Sequence, residues 1–162
     1  MSSDDISIYN KVLEYICLEL SHSLGAIDNE YKKSIEEIRL RVGMPLNVYL
    51  KGEDYFVHSN GSLNKNERDG ILVQSKHIHK TFQLINSYSI YAFQEEIRNG
   101  FITLKGGHRV GIAGRTVLEN GDIKTIKDIS FINYRVAREV TGAADNVLGY
   151  IAGKYSEMFN TL

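Results

Sequence analysis

Strict alternation of apolar and charged residues is the feature of this 162-residue sequence that most constrains its fold. Ile38, Leu40 and Val42 are separated by arginines, and residues 46–50 again alternate apolar and polar side chains. Because successive side chains of a strand point to opposite faces, each of these strands has one apolar face. An apolar face must be covered by a second layer. We therefore predict an α+β fold in which an antiparallel sheet carries helices on one face.

Other periodicities place the remaining elements along the chain. Apolar residues recur at helical spacing over residues 5–22 and again after Ser75, which can cap a helix. We divide the chain into an N-terminal helix with its connection (1–34) and an α+β domain (35–162). The predicted helices cover 5–22, 75–85, 91–98 and 143–152, and residues 28–33 form a short connection or a helical turn. The predicted strands cover 37–42, 46–50, 55–57, 101–104, 108–119, 123–126 and 129–140, with an exposed loop at 60–70.

Charge and cysteine content restrict the class of protein. Lysine and arginine together number 19 against 20 acidic residues, for a net charge of −1. Such a balance argues against a dedicated nucleic-acid binder, although a local basic patch remains compatible with it. The lone Cys17 excludes an internal disulfide and fits a reducing compartment. An acidic N-terminus and the lack of a long apolar run lead us to expect a soluble, cytoplasmic chain.

The sequence offers no pattern for catalysis. Its nearest approach to a phosphate-binding loop, residues 149–155, lacks one spacer and has Tyr155 where a Ser or Thr must hold magnesium. His77 and His79 diverge on a helix and have no suitably spaced partner, so we expect no metal site. We predict that the chain has no catalytic residue, binds no cofactor by itself and does not hydrolyse ATP.

The most distinctive stretch is the glycine- and arginine-rich segment 106–115. On a strand, Arg109 and Arg115 share one face above the small residues Gly111 and Ala113. Guanidinium groups suit bidentate contacts to phosphate or carboxylate. The alternative is a bulged hairpin with solvated arginines, which spacing alone favours. Four glycines are candidates for close backbone approach: Gly106, Gly107, Gly111 and Gly114.

A second pair of arginines follows near the end of the last predicted strand. Arg135 and Arg138 are separated by an odd number of residues, which places them on opposite faces of a strand. They are therefore poor candidates for one shared ligand unless the strand bends. Either could pair with a carboxylate across an interface.

Three blocks together go beyond generic pattern. They are Ile35–Gly43 with Pro45-Leu46, Tyr88–Arg115, and Ile129–Val140. Their order and spacing over residues 35–162 resemble the N-terminal region of the stage III sporulation protein AA family, and the middle block is the most specific. The resemblance implies a sensor-like (PAS-like) domain of a secretion-type ATPase, and Asn160-Thr161-Leu162 resembles the start of the strand that leads into its RecA-like core.

The family further implies a role and partners for the chain. The whole protein would be a mother-cell cytoplasmic ATPase, hexameric and dependent on ATP and magnesium, that energises the channel between mother cell and forespore. This chain would be its non-catalytic assembly and coupling domain. Its partners would be its own ATPase core, neighbouring subunits and membrane proteins of the channel, with no nucleic acid. Arg109 and Arg115 are the first candidates for contacting nucleotide or an interface, and Arg135 and Arg138 the second.

Two other functions remain open on the residues alone. One is a nucleic-acid-binding module built on the basic hairpin, against which the balanced charge and the lack of an aromatic-basic platform count. The other is a small-molecule sensor, which an open apolar cavity with a few convergent polar groups would favour.

Overall fold

The computed structural model describes residues 3–87, 96, 100–138, 142–143 and 147. Within them the chain forms four α-helices, seven strands and one 3-10 turn. The helices are α1 (Ser3–Leu13), α2 (Leu18–Gly25), α3 (Asn29–Lys32) and α4 (Ser75–Asn86), with the 3-10 turn at Glu67–Asp69; the strands are β1 (Ile35–Arg41), β2 (Asn47–Leu50), β3 (Glu53–Val57), β4 (Leu63–Asn64), β5 (Phe101–Thr103), β6 (Arg109–Glu119) and β7 (Asp122–Arg135).

All seven strands belong to one antiparallel sheet with the spatial order β4-β3-β2-β1-β7-β6-β5. The last long strand, β7, is inserted between β1 and β6, so the N-terminal meander and the C-terminal hairpin meet along it. Register in this region pairs Glu37 with Arg135 and Arg109 with Arg135. Residues about 100 positions apart in sequence therefore become neighbours.

One face of the sheet forms the core with the helices. Ile38, Val110, Ile132 and Tyr134 are fully buried on it, as the alternation predicts. The buried faces of α1, α2 and α4 complete the same cluster, and the Tyr134 hydroxyl donates a hydrogen bond to the carbonyl of Tyr15 at 2.8 Å. The predicted α+β class, with an antiparallel sheet and helices on one face, is confirmed in this part of the chain.

The single N-terminal helix predicted over residues 5–22 is wrong, because the chain breaks between α1 and α2. At the break the Cys17 amide donates to the side chain of Thr81 on α4, at 3.1 Å, instead of continuing a helical ladder. The Tyr15 carbonyl likewise accepts a hydrogen bond from the Tyr134 hydroxyl. These partners come from distant parts of the chain, so helical periodicity alone could not show the break.

Three smaller predictions also change. Gln74, not Ser75, is the N-cap of α4, and its backbone amide donates to Nδ1 of His77 at 3.1 Å. The predicted loop at 60–70 contains β4 and the 3-10 turn. The two predicted strands at 123–126 and 129–140 are one strand that ends at Arg135, with a positive φ of 47° at Asp128 accommodating the irregularity. Most of the predicted helices at 91–98 and 143–152 lies outside the described residues.

Candidate functional site: the open face of the sheet

The face of the sheet opposite the helices is polar and aromatic. Strand register aligns its residues in rows that cross from β3 to β5; one row contains Asp54, Tyr49, Glu37, Arg135 and Arg109 in that order. We call this surface the open face. Its members are Glu37, Arg39, Arg41, Asn47, Tyr49, Asp54, Phe56, Phe101, Thr103, Arg109, Gly111, Ala113, Phe131, Asn133 and Arg135.

Three arginines of the open face lie over aromatic rings. The guanidinium carbon is 5.0 Å from the ring centre for Arg39 over Tyr49. It is also 5.0 Å for Arg41 over Phe131. For Arg109 over Phe101 the distance is 5.3 Å. All are within the ~6 Å at which a cation is attracted to a ring face. Stacking pre-orders these long side chains, which lowers the entropy lost when a ligand binds them.

The carboxylate of Glu37 organises the centre of the open face. It accepts hydrogen bonds from Nε of Arg39 at 2.8 Å, from Nε of Arg135 at 3.2 Å and from the amide of Asn133 at 3.3 Å. Burial would raise the pKa of this carboxyl, but the hydrogen bonds from Arg39 and Arg135 outweigh burial and hold its pKa below the ordinary value. Glu37 is therefore ionised at neutral pH and fixes two arginines in place.

The composition of the open face is biased. The chain has eleven lysines and eight arginines, yet the face carries four arginines and no lysine. It also carries four aromatic residues and two carboxylates, so its net charge is positive. Arginine and aromatic residues are enriched in the cores of protein interfaces, where lysine is depleted. The open face thus has the composition of a docking surface.

Two acceptors on the same face have no partner within the described part of the chain. They are the Oδ1 atoms of Asn47 and Asn133, both shielded from solvent. A buried acceptor without a hydrogen bond costs about 1–3 kcal/mol. A partner could donate to these acceptors only if the side chains around them moved, because neither atom is accessible on the face as it stands.

Of the predicted arginines, the structure brings Arg109 and Arg135 together. They are direct cross-strand partners, and with Phe101, Gly111 and Asn133 they line a shallow depression. Gly111 leaves its floor open, since a Cβ there would make only an ordinary contact, 3.9 Å from the carbonyl oxygen of Asn133. Their adjacency could not be read from spacing, because they lie on different strands.

Arg115 does not join that pair. The ladder between β6 and β7 is irregular between Ala113 and Arg115, and beyond it the Arg115 guanidinium forms an ion pair with Asp128 at 2.7 Å. At the irregularity, Gly114 approaches β7 so closely that a Cβ would lie 2.6 Å from the carbonyl oxygen of Lys127. The close backbone contact at Gly114 is thus with the chain's own neighbouring strand β7.

Arg138 lies past the end of β7 and contacts residues near the N-terminal end of the chain. Its guanidinium donates to the carbonyls of Lys32 and Ile35, and its side chain is only 15% exposed. Asp5 lies 3.8 Å away. These contacts give Arg138 a structural role in the described residues.

Gly106 and Gly107 form the turn between β5 and β6, with φ values of 94° and 80° that favour glycine. The next residue, His108, is buried, and its Nδ1 accepts a hydrogen bond from the amide of Ala137 at 3.0 Å. Burial, and then the charge of Arg138, lower the pKa of His108. This histidine fastens the turn to the segment after β7. Sequence reasoning missed it because nothing in the pattern marks its burial.

Sequence reasoning also missed Glu37, Arg39 and Arg41 as site residues. Their alternation showed that they point away from the core, but not that β7 would place them beside Arg109 and Arg135. In the described residues, no three His, Cys, Asp or Glu side chains are grouped as metal ligands. Nor does any helix in the described ranges have the length and apolar character to cross a bilayer.

The fold and the open face define an α+β domain with one helix-covered and one arginine-aromatic sheet face. The model of the family described as "Sporulation stage III, protein AA" matches residues 8–162. The chain therefore belongs to this family. It is 32% identical over 142 residues to the stage III sporulation protein AA of Bacillus subtilis (strain 168), covering 88% of the chain and 42% of the relative. No solved structure matches the chain.

Proposed function

We propose that this chain is the non-catalytic assembly and coupling domain of a stage III sporulation ATPase, and that it docks on its partner through the open face. Family membership supports the role in sporulation. The chain spans less than half of its Bacillus subtilis relative. That is consistent with a separate, RecA-like ATPase core, to which ATP and magnesium would bind. The PAS-like character of the domain, the hexameric ring and the mother-cell location are parts of the same proposal.

The observation that carries the proposal is the arginine-aromatic composition of the open face. Arg109 and Arg135 stand side by side over a floor that lacks a side chain at Gly111. Two adjacent guanidinium groups can receive a carboxylate or a nucleotide phosphate presented by the core. Movement of the domain as a rigid body would then transmit nucleotide binding to membrane proteins of the sporulation channel.

A matched set of variants in the full-length protein tests the role. Arg109→Ala combined with Arg135→Ala should lower ATP turnover or ring assembly while leaving the melting temperature nearly unchanged, since both side chains are exposed. Arg109→Ala with Arg115→Ala should act through Arg109 only. Arg68→Ala, on the 3-10 turn outside the open face, is the control. Normal turnover and normal rings in both double variants would remove these arginines from the proposal.

A second function has one specific observation in its favour. The stacked arginine-aromatic pairs form the kind of aromatic-basic platform that the sequence did not reveal, and such platforms bind single-stranded nucleic acid. The lack of lysine on the face and the balanced total charge favour a protein partner instead. Fluorescence anisotropy with a single-stranded oligonucleotide at rising salt decides between them. Phosphate-driven binding must weaken steeply as salt increases, and submicromolar binding with that dependence would favour nucleic acid.

The absence of catalysis is tested on the chain itself. Incubated with ATP and magnesium, it should release no phosphate above the background of a boiled sample. Magnesium-dependent turnover that survives fresh purification and is abolished by one substitution within the chain would refute the assignment.

A further inference from the structure

Both carboxylates of the open face already have arginine partners. Glu37 accepts hydrogen bonds from Arg39 and Arg135. Asp54 accepts one from the Arg39 guanidinium at 2.7 Å. The charges of these two carboxylates and these two arginines cancel. The net positive charge of the open face therefore comes from its other arginines.

Those arginines, Arg41 and Arg109, are exposed, and neither forms an ion pair with a residue that the structure describes. Each guanidinium lies over a phenylalanine ring, that of Phe131 for Arg41 and that of Phe101 for Arg109. A ring face orders a guanidinium but accepts none of the hydrogen bonds that its N–H groups can donate in the ring plane. Both side chains are therefore ordered and ready to bind an anionic group.

Arg41 and Arg109 lie at opposite corners of the open face. Arg41 pairs with Phe131 across β1 and β7, and Arg109 pairs with Arg135 across β6 and β7. The two pairs are two strand spacings apart across the sheet and four residues apart along β7. With ~4.8 Å between strands and ~3.4 Å per residue, the Cα atoms of the two arginines are roughly 17 Å apart. The line between them crosses the neutral side chain of Asn133.

A small depression lies beside each of these two arginines. The depression beside Arg41 has a volume of about 160 Å³ and apolar walls formed by Met44, Pro45 and Phe56. The depression beside Arg109 has a volume of about 280 Å³. Both are smaller than the roughly 300–1,000 Å³ of small-molecule sites, so each suits one side chain of a larger partner. A glutamate matches this chemistry, because its methylene groups can pack on the apolar wall while its carboxylate binds the guanidinium.

The charge pattern favours carboxylates over a run of phosphates. A nucleic-acid strand carries a phosphate on every nucleotide, so its negative charge is continuous. Midway along the line it would meet the ionised carboxylate of Glu37, which accepts a hydrogen bond from the Asn133 amide at 3.3 Å. It would also meet Asp54, which lines the depression beside Arg41. A protein segment can instead place its carboxylates only where the free arginines lie.

A helix is the kind of segment that suits this face. The strands of the sheet already pair their backbone groups with one another, so an extended segment lying on the face would leave its own N–H and C=O groups unpaired. A helix satisfies these groups internally and commonly covers a sheet face. With a rise of 1.5 Å per residue, roughly 17 Å corresponds to about eleven residues, or three turns. Two residues at that spacing lie on the same side of the helix.

We propose that the open face binds an acidic helix of a protein partner, whose two carboxylates, about three turns apart, enter the two depressions and pair with Arg41 and Arg109. The uncharged middle of the helix crosses Asn133. This proposal rests on the proposed role of the open face as a docking surface. It names carboxylate as the ligand, where that role allowed carboxylate or nucleotide phosphate.

Two peptides of equal charge test the contact. Both are alanine-rich helices with two glutamates, which are about eleven residues apart in the first peptide and about nine residues apart, on opposite sides of the helix, in the second. Each is titrated into the ¹⁵N-labelled chain, and the side-chain Nε–H signals of the arginines are followed by NMR. We expect the first peptide to shift the signals of Arg41 and Arg109 and to bind at least fivefold more tightly than the second.

A matched pair of double variants separates this pairing from the effect of net charge. Arg41→Gln with Arg109→Gln should weaken binding of the first peptide at least fivefold. Arg68→Gln with Arg115→Gln removes the same charge from exposed positions outside the open face and should change binding less than twofold. Equal weakening by the two double variants would overturn the proposal. So would equal binding of the two peptides, or tighter binding of a thymidine oligonucleotide than of the first peptide.

The two proposals can fail separately. If Arg109→Ala with Arg135→Ala lowers ATP turnover in the full-length protein but the first peptide does not bind the chain, the acidic-helix proposal is refuted and the proposed function stands. If the first peptide binds as expected while turnover and ring assembly stay normal in the alanine variant, the ATPase role is refuted and the acidic-helix contact stands.

Discussion

Replacing Arg138 by alanine should destabilise the fold far more than replacing any exposed arginine. The side chain of Arg138 is 15% exposed, and its guanidinium donates to the carbonyls of Lys32 and Ile35. These carbonyls lie at the junction between α3 and β1. Removing the guanidinium would leave both acceptors without their partner and would also leave a small void where the aliphatic stem packs.

The size of the effect follows from the two hydrogen bonds. A hydrogen bond with a charged partner contributes about 1.5–3 kcal/mol, so taking the lower value for two bonds that share one group gives a loss of about 3 kcal/mol. For a chain of this length each kcal/mol lowers the melting temperature by roughly 2–4 °C. The expected decrease is therefore about 6–12 °C. Arg138→Lys should recover part of the lost stability. A lysine ammonium keeps the positive charge but lacks the planar guanidinium geometry that lets arginine donate to two carbonyls at once.

Urea unfolding, monitored by circular dichroism, measures the decrease in the free energy of unfolding. Unchanged m-values would indicate that the transition remains two-state. Arg115→Ala is the control, because its ion pair with Asp128 is 71% and 69% exposed and should contribute only about 0–1 kcal/mol. If Arg138→Ala and Arg115→Ala lose the same free energy, the structural role of Arg138 is refuted.

Three further predictions concern the core and the turns. Tyr134→Phe should lose about 1–2 kcal/mol in urea unfolding, because the carbonyl of Tyr15 loses the hydrogen bond from the Tyr134 hydroxyl in the core; no loss would contradict the bond. Gly61→Ala should cost about 2–5 kcal/mol, because φ is +84° and the new Cβ would lie 2.4 Å from the carbonyl carbon of Ala26. Gly52→Ala is the control: its φ is +81° but the space around it is open, so it should cost only about 1–2 kcal/mol. Equal losses in the two variants would argue against the clash. Because burial lowers the pKa of His108 below about 6.5, its contribution to stability is complete above that pH and is lost as pH falls toward the folded pKa; an imidazole NMR titration midpoint at or above 6.5 would contradict this.

The identity of the open face could be predicted only in part. Alternation in β1 correctly showed that Arg39 and Arg41 point away from the core. The aromatic partners of these arginines lie on other strands: Tyr49 on β2 and Phe131 on β7. Their pairing depends on strand order and register, and a pattern within one strand contains no information on either.

The sequence by itself determined the elements whose cause is local. Period-two alternation set which side of each strand is apolar, and the turn glycines Gly106 and Gly107 set the hairpin between β5 and β6. Tertiary structure decided what depends on distant partners: the break after α1, the burial of Arg138, and the meeting of Glu37 with Arg135. The physical reason is that side-chain direction follows from neighbouring residues, whereas hydrogen-bond partners across the sheet are chosen only when β7 packs between β1 and β6.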